Sequence, residues 1–293
     1  MANLKEVRTR IESVKSTQQI TSAMKMVAAS KLRKAQNAIL TLRPFASKLK
    51  EILQNLSTSI EDTDVAVFAE ERELSKVLLI PVTSNRGLCG PFNANVVKLV
   101  VNHIDENYAE LNKQGNVELY CFGKKGAEFF QKNDFNVVES NIEIFDDLTF
   151  ENTAVIAEDL MEKFASKKYD KIEIIYNQFK NAATQILTTE QYLPVVPQEE
   201  SDGTEQAGDY IFEPGKEELI TELIPKTLRV QIFKAILDSA ASEHGARMTA
   251  MHQATENAKE LLKDLRLSYN KARQAAITNE LVEIVSGANA LKG

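Results

Sequence analysis

From residue 28 onward apolar side chains return at alternating spacings of four and three: Ala28, Leu32, Ala35, Ile39, Leu42, Ala46, Leu49, Leu53 and Leu56. That is the seam of a coiled coil, and a seam requires a partner helix. The pattern reaches backwards less cleanly through Val7, Ile11, Val14, Thr21 and Met24, and the first glycine is Gly87. One helix of about 50 residues, roughly 80 Å at 1.5 Å per residue, is expected within residues 1–58. Pro44 predicts a kink or local defect in it, not its end.

The other end of the chain repeats the pattern. Met251, Ala258, Leu265 and Ala272 stand seven apart, with Met248, Thr255, Leu262, Tyr269 and Ala276 as the companion row. This second helical segment is expected over 215–287, with Gly287 as its C-cap. Pro225 and Gly245 predict interruptions, so its first turns read as a separate short helix. The two ends therefore read as partners in an antiparallel coiled coil. Much of the seam is Ala, Thr and Ser, which allows close approach but buries little apolar area, so an enclosing partner is expected.

Between the ends, in 74–213, the period changes. "KVLLIPV" (76–82), "VELYCFG" (117–123) and "KIEIIYNQF" (171–179) predict strands, and "TQILTTEQYLPV" (184–195) an edge or hairpin strand. "NANVVKLVVNHIDENYAELNKQG" and "ENTAVIAEDLMEKFASKKY" predict helices. The alternation implies a small α/β domain with a largely parallel sheet. The acidic, Gly- and Ser-bearing "PQEESDGTEQAGDY" reads as a mobile surface loop.

Charge is segregated along the chain. Residues 1–50 carry eleven Lys/Arg against two Asp/Glu, residues 51–228 fifteen against thirty-three, and residues 229–293 nine against seven. Basic termini beside an acidic middle call for an anionic partner or for neutralisation within an assembly. A nucleic-acid-binding module is one candidate class. The aromatics that single-strand binders interleave with their basic residues are missing, since Phe45 is the only aromatic before Phe68. No apolar run approaches the roughly 18 residues of a membrane span, no secretory signal opens the chain, and Cys89 and Cys121 form no CxxC. A reducing, cytoplasmic location fits.

The stretch most suggestive of catalysis is "TSNRGLCGPFNAN" (83–95), a glycine-bearing turn between a strand and a helix. Phosphate loops occupy that position, but a P-loop needs GK[ST] for phosphate and magnesium, and GxGxxG is also absent. Arg86 and the helix N-terminus could attract an anion; a structural turn is the better reading, with Gly87 and Gly90 allowing positive φ or close approach. Cys89 lacks an evident activating partner, and a small buried thiol accounts for it equally well. His103, His244 and His252 form no metal motif and read as ordinary surface or interface histidines.

"LKEVRTRIESVKSTQQITSAMKMVAASKLRKAQ", "SNRGLCGPFN" and "ARMTAMHQATENAKELLKDLRLSYNKARQAAITNELVEIVSGANAL" together resemble the gamma subunit of rotary F-type ATP synthases, from Leu4 to Leu291. The resemblance implies a mixed α/β fold, a long antiparallel coiled coil of N- and C-terminal helices plus a small Rossmann-like α/β domain. It implies a rotor stalk that passes torque between the membrane c ring and the alpha/beta hexamer, coupling ion transport to ATP synthesis or hydrolysis. The epsilon subunit would lie beside the α/β domain. Catalysis would belong to the beta subunits, leaving this chain without catalytic, cofactor or metal residues. At matching positions, Arg273 and Gln274 would touch catch loops of the hexamer, and Arg247 and Met24 its beta-subunit lever. The complex would lie at the cytoplasmic face of a bacterial inner membrane, with this chain peripheral. An enzyme built on residues 83–95 is the third class of function, distinguished by nucleotide binding.

Overall fold

The computed structural model describes residues 4–56, 65–195 and 215–291. In chain order the elements are α1 (Leu4–Leu56), β1 (Val77–Pro81), α2 (Phe92–Asn107), α3 (Ala109–Lys113), β2 (Val117–Phe122), α4 (Lys124–Lys132), β3 (Val137–Asn141), α5 (Phe150–Ala165), β4 (Lys171–Phe179), β5 (Gln185–Leu193) and α6 (Lys216–Ala290). The chain divides into two compact units, Met1–Ala28 with Met248–Gly293, and Ala29–Arg247. The acidic segment 197–210, expected to be a mobile loop, lies outside the described residues.

In the smaller unit the heptad positions face inward. Val7, Thr21 and Ala28 of α1 are buried, as are Met251, Thr255, Ala258 and Leu262 of α6. Ile11, Val14, Met24, Met248, Leu265, Tyr269 and Ala272 are half-buried. The pairing is antiparallel: the hydroxyls of Thr21 and Thr255 lie 2.9 Å apart, and Lys25 Nζ is 3.2 Å from His252 Nδ1. From Arg273 to Asn289 every residue of α6 is exposed, including Ala276, which the sequence pattern places in the seam. The helix also runs past the predicted stop at Gly287, and the Leu291 N–H donates to the Gly287 carbonyl at 3.2 Å. A helical glycine costs only about 1 kcal/mol, too little to end a helix by itself.

The larger unit is built on a five-stranded sheet of order β3-β2-β1-β4-β5. The first four strands are parallel and β5 is antiparallel to β4. Alternate residues of the central strands supply two cores. Val77, Leu79, Val117, Leu119 and Cys121 pack with Val96, Val100 and Ile104 of α2 and Phe130 of α4. Leu78, Ile80, Phe122, Ile174 and Tyr176 pack with Leu160 and Phe164 of α5 and with Ile220, Ile224, Leu228, Ile232 and Ile236 of α6. Helices cover both faces, so the strands read as continuous apolar runs.

Several sequence expectations need correction. No separate short helix precedes α6, which runs through both Pro225 and Gly245. A helical proline costs about 3 kcal/mol. The surrounding Ile220, Ile224, Leu228 and Ile232 are almost wholly buried, at about 1.5–3 kcal/mol each. Gly245 is a contact instead of a break: a Cβ there would lie 3.1 Å from Ala182 Cα, in the β4–β5 turn. The helix predicted over 93–115 is split at Tyr108, whose φ of −133° is non-helical and whose hydroxyl donates to Glu173 at 2.9 Å. β3 and α4 have no counterpart in the sequence reading.

Gly123 opens α4 at φ 92°, and a Cβ there would sit 2.2 Å from the Thr83 carbonyl oxygen. Gly123→Ala is expected to destabilise the chain by about 3 kcal/mol or more, combining a left-handed backbone with a backbone clash. Urea unfolding of the purified variant checks this; a shift below about 1 kcal/mol would contradict it.

Candidate functional site

In an open α/β sheet, ligands bind at the carboxyl ends of the strands where the chain switches faces. Here that point lies between β1 and β4, beside residues 83–95. The crevice is filled by α6. Ser239 donates to the Val82 carbonyl at 3.5 Å, and Ser242 donates to the Asn177 carbonyl at 3.0 Å. One turn further on, Arg247 donates to the carbonyls of Arg86 and Gly87 at 2.9 and 3.3 Å, while its other nitrogen pairs with Glu243.

The turn spends its own polar groups internally. Thr83 Oγ1 accepts from the Gly126 N–H at 2.9 Å, the Ser84 carbonyl from Lys125 at 3.0 Å and Asn85 Oδ1 from Lys124 at 3.1 Å. Those are orphan donors of the first turn of α4, which has no cap from its own side chains. Asn93 Oδ1 accepts from the Ser84 N–H at 2.9 Å, closing the turn onto α2. The left-handed residues are Leu88 (φ 63°) and Gly90 (φ 60°), and Gly87 has no positive φ. The residues that could have cradled a phosphate thus cap a helix and dock another.

The titratable groups follow from the same packing. Cys89 is buried against Phe92 and Ala246, and desolvation pushes its thiol up, away from nucleophilic use. Burial alone raises the Cys121 thiol to about 12. His103 is half-buried: its Nε2 lies 2.7 Å from Glu173, which Lys171 and Tyr108 also contact. Burial opposes the Glu173 charge, but those hydrogen bonds hold its carboxyl below the usual range. His244 is pushed down to about 4, by burial first and then by the Arg247 and Lys31 charges, and its Nδ1 has no hydrogen-bond partner. Among the described residues no cluster of His, Cys, Asp or Glu could hold a metal ion.

The four residues singled out from the sequence are not gathered into one site. Met24 is half-buried on α1, and Arg273 and Gln274 are exposed where the uncovered part of α6 begins. Arg247 is held by Glu243 and the 86–87 carbonyls. Sequence reasoning missed Thr83, Asn85, Ser239 and Ser242 as a docking set. It also missed Asp238, whose side chain is fully buried against Arg43. A polar triplet in the apolar stripe that passes through Ile224, Leu228 and Ala235 was the available signal.

Two outcomes are expected. The purified chain should show no saturable ATP or ADP binding up to millimolar nucleotide; calorimetric binding in the micromolar range would contradict a filled crevice. Between pH 6.5 and about 4 the unfolded chain binds a proton at His244 that the folded chain refuses, so His244 costs stability as pH falls through that window. His244→Gln should flatten that part of the stability–pH curve, and an unchanged slope would count against it.

The family model described as ATP synthase matches residues 3–291. The chain is 60% identical to the ATP synthase gamma chain of Flavobacterium johnsoniae over the whole of both chains. It is 54% identical to that of Cytophaga hutchinsonii over 99% of each. Among solved structures it is similar to a chain of the central stalk and c-ring of the Tetrahymena thermophila mitochondrial ATP synthase, at 27% identity and a TM-score of 0.58, covering 80% of this chain and 99% of that one. A chain of the Euglena gracilis mitochondrial ATP synthase rotor shares the fold at 21% identity and a TM-score of 0.66, covering 94% and 98%. With one family model spanning nearly every residue and full-length relatives above half identity, the chain belongs to the ATP synthase gamma-chain family.

Proposed function

We propose that this chain is the central rotor stalk of an F-type ATP synthase, passing torque between a membrane c ring and a catalytic alpha/beta hexamer. The observation that carries this reading is the far end of α6. Seventeen consecutive residues, from Arg273 to Asn289, are exposed. Within them Ile277, Leu281, Val282, Ile284 and Val285 are each at least 50% exposed. Ile277, Leu281, Ile284 and Val285 recur at helical spacing and make one apolar stripe. A stripe uncovered by the chain itself fits a ring of subunits closed around it.

Arg273 and Gln274 stand at the root of that stripe and are the proposed contacts to the hexamer. Met24 offers its exposed part to the same ring. Arg247 would meet a partner only with whatever its internal bonds leave open. In this reading residues 1–58 and 215–287 supply the shaft and 74–213 the domain that meets the epsilon subunit and the c ring. The catalytic sites belong to the beta subunits. No described helix is long and apolar enough to cross a membrane, so attachment would run through the complex, at the cytoplasmic face of a bacterial inner membrane. The filled crevice favours this over an enzyme, and the acidic middle favours it over a nucleic-acid module.

Capture of the chain from gently solubilised membranes tests the reading: alpha, beta, epsilon and c subunits should accompany it, and recovery alone or with RNA would overturn it. Arg273→Ala should leave stability within about 0.5 kcal/mol, as for an exposed side chain. It should lower ATP-driven ion pumping per ATP by about twofold or more; unchanged pumping and hydrolysis would remove that contact. Leu281→Asp with Ile284→Asp should leave the free chain folded while reducing its recovery in the complex.

A further inference from the structure

Asp238 is a carboxylate in the buried face of α6, with a side chain at 0% exposure. Its Oδ1 lies 3.0 Å from Nη2 of Arg43 on α1, and its Oδ2 has no hydrogen-bond partner. The same Arg43 nitrogen donates to the carbonyl of Phe179, the last residue of β4. One guanidinium therefore holds α1, α6 and the sheet at a single point. Around it α6 is fixed to the sheet by Gln231, which donates to the Gln191 carbonyl at 3.0 Å, and by Ser239 and Ser242. Those bonds join α6 to the sheet, and Arg43 brings α1 into the same joint.

Asp238 is wholly buried while Arg43 keeps 38% of its side chain exposed, so the carboxylate's lost hydration offsets much of their attraction and the pair adds little stability. It is a good device for geometry. Apolar side chains in that position could slide past one another at little cost. Burial already pushes the Asp238 carboxyl up, with Arg43 the main group opposing it, so a displaced guanidinium leaves a buried carboxyl without its charge partner and a Phe179 carbonyl without that donor. Both bonds leave one guanidinium nitrogen, whose two N–H directions are fixed in the guanidinium plane, an angular preference that a rotating lysine ammonium lacks. Movement of α1 along or around α6 is therefore opposed at Arg43 more sharply than apolar packing would oppose it.

We propose that Arg43 and Asp238 are a positioning pair for rotary coupling, locking α1 to α6 and the sheet so that torque passes without slip between the helices. The proposal rests on the stalk reading above. The test compares the wild-type chain with Arg43→Met/Asp238→Leu and with Arg43→Lys. The first readout is the distribution of distances between spin labels on exposed positions of α1 and of the sheet in the purified chain. The second is ions pumped per ATP in the assembled complex.

The apolar double variant should unfold at the wild-type temperature or above, yet show a broadened distance distribution. Its ions pumped per ATP should fall by about twofold or more from the wild type while ATP is still hydrolysed. Arg43→Lys, which keeps the charge but not the planar donor geometry, should fall between the two. An unbroadened distribution in both variants would overturn the joint, independently of any partner. Broadening with wild-type pumping would overturn its role in coupling. A complex that pumps equally well without this chain would remove the stalk reading and the proposal with it, while leaving the distance result intact.

Discussion

The burial of one face of α6 against the sheet is the interaction on which the larger unit depends. Ile220, Ile224, Leu228, Ile232 and Ile236 contribute to the same core as Leu78, Ile80 and Phe122. At about 1.5–3 kcal/mol per fully buried side chain, this stripe outweighs the proline it contains and keeps the helix continuous. Where the stripe turns polar, Ser239 and Ser242 donate to carbonyls at the strand ends, and Asp238 accepts from the Arg43 that donates to another. The same face is thus hydrophobic where it crosses the sheet and hydrogen-bonding where it crosses the sheet's rim.

The architecture was largely legible in the sequence because its strongest signals are periodic and repeated. The heptad row from Ala28 to Leu49 is buried or half-buried at every position, and the strand at 171–179 appears with the predicted bounds. α4 escaped notice because its start signal is not local. Gly123 offers no side chain, and the donors of the first turn are satisfied by Thr83, Ser84 and Asn85, about 40 residues earlier. β3 escaped because an edge strand with exposed Val138, Glu139 and Ser140 lacks an apolar run. Pro225 and Gly245 misled for a related reason: their local penalties are real, but tertiary contacts decide.

The candidate site was legible only in part. Missing P-loop residues could be read directly, so the absence of a recognisable nucleotide loop was visible from sequence. What occupies the crevice was not, since Ser239, Ser242 and Arg247 lie far along the chain from the turn they meet. The Arg43–Asp238 pair shows the same limit, being separated by 195 positions and marked in sequence only by a charge in an apolar stripe. Long-range polar contacts leave no periodic trace.

The filled crevice can also be seen as binding that has already happened. α6 belongs to the same chain as the sheet it meets, so its arrival at the strand ends is an intramolecular event. A free nucleotide would therefore compete with an occupant that never diffuses away. The carboxyl ends of the strands thus form a socket for the chain's own C-terminal helix.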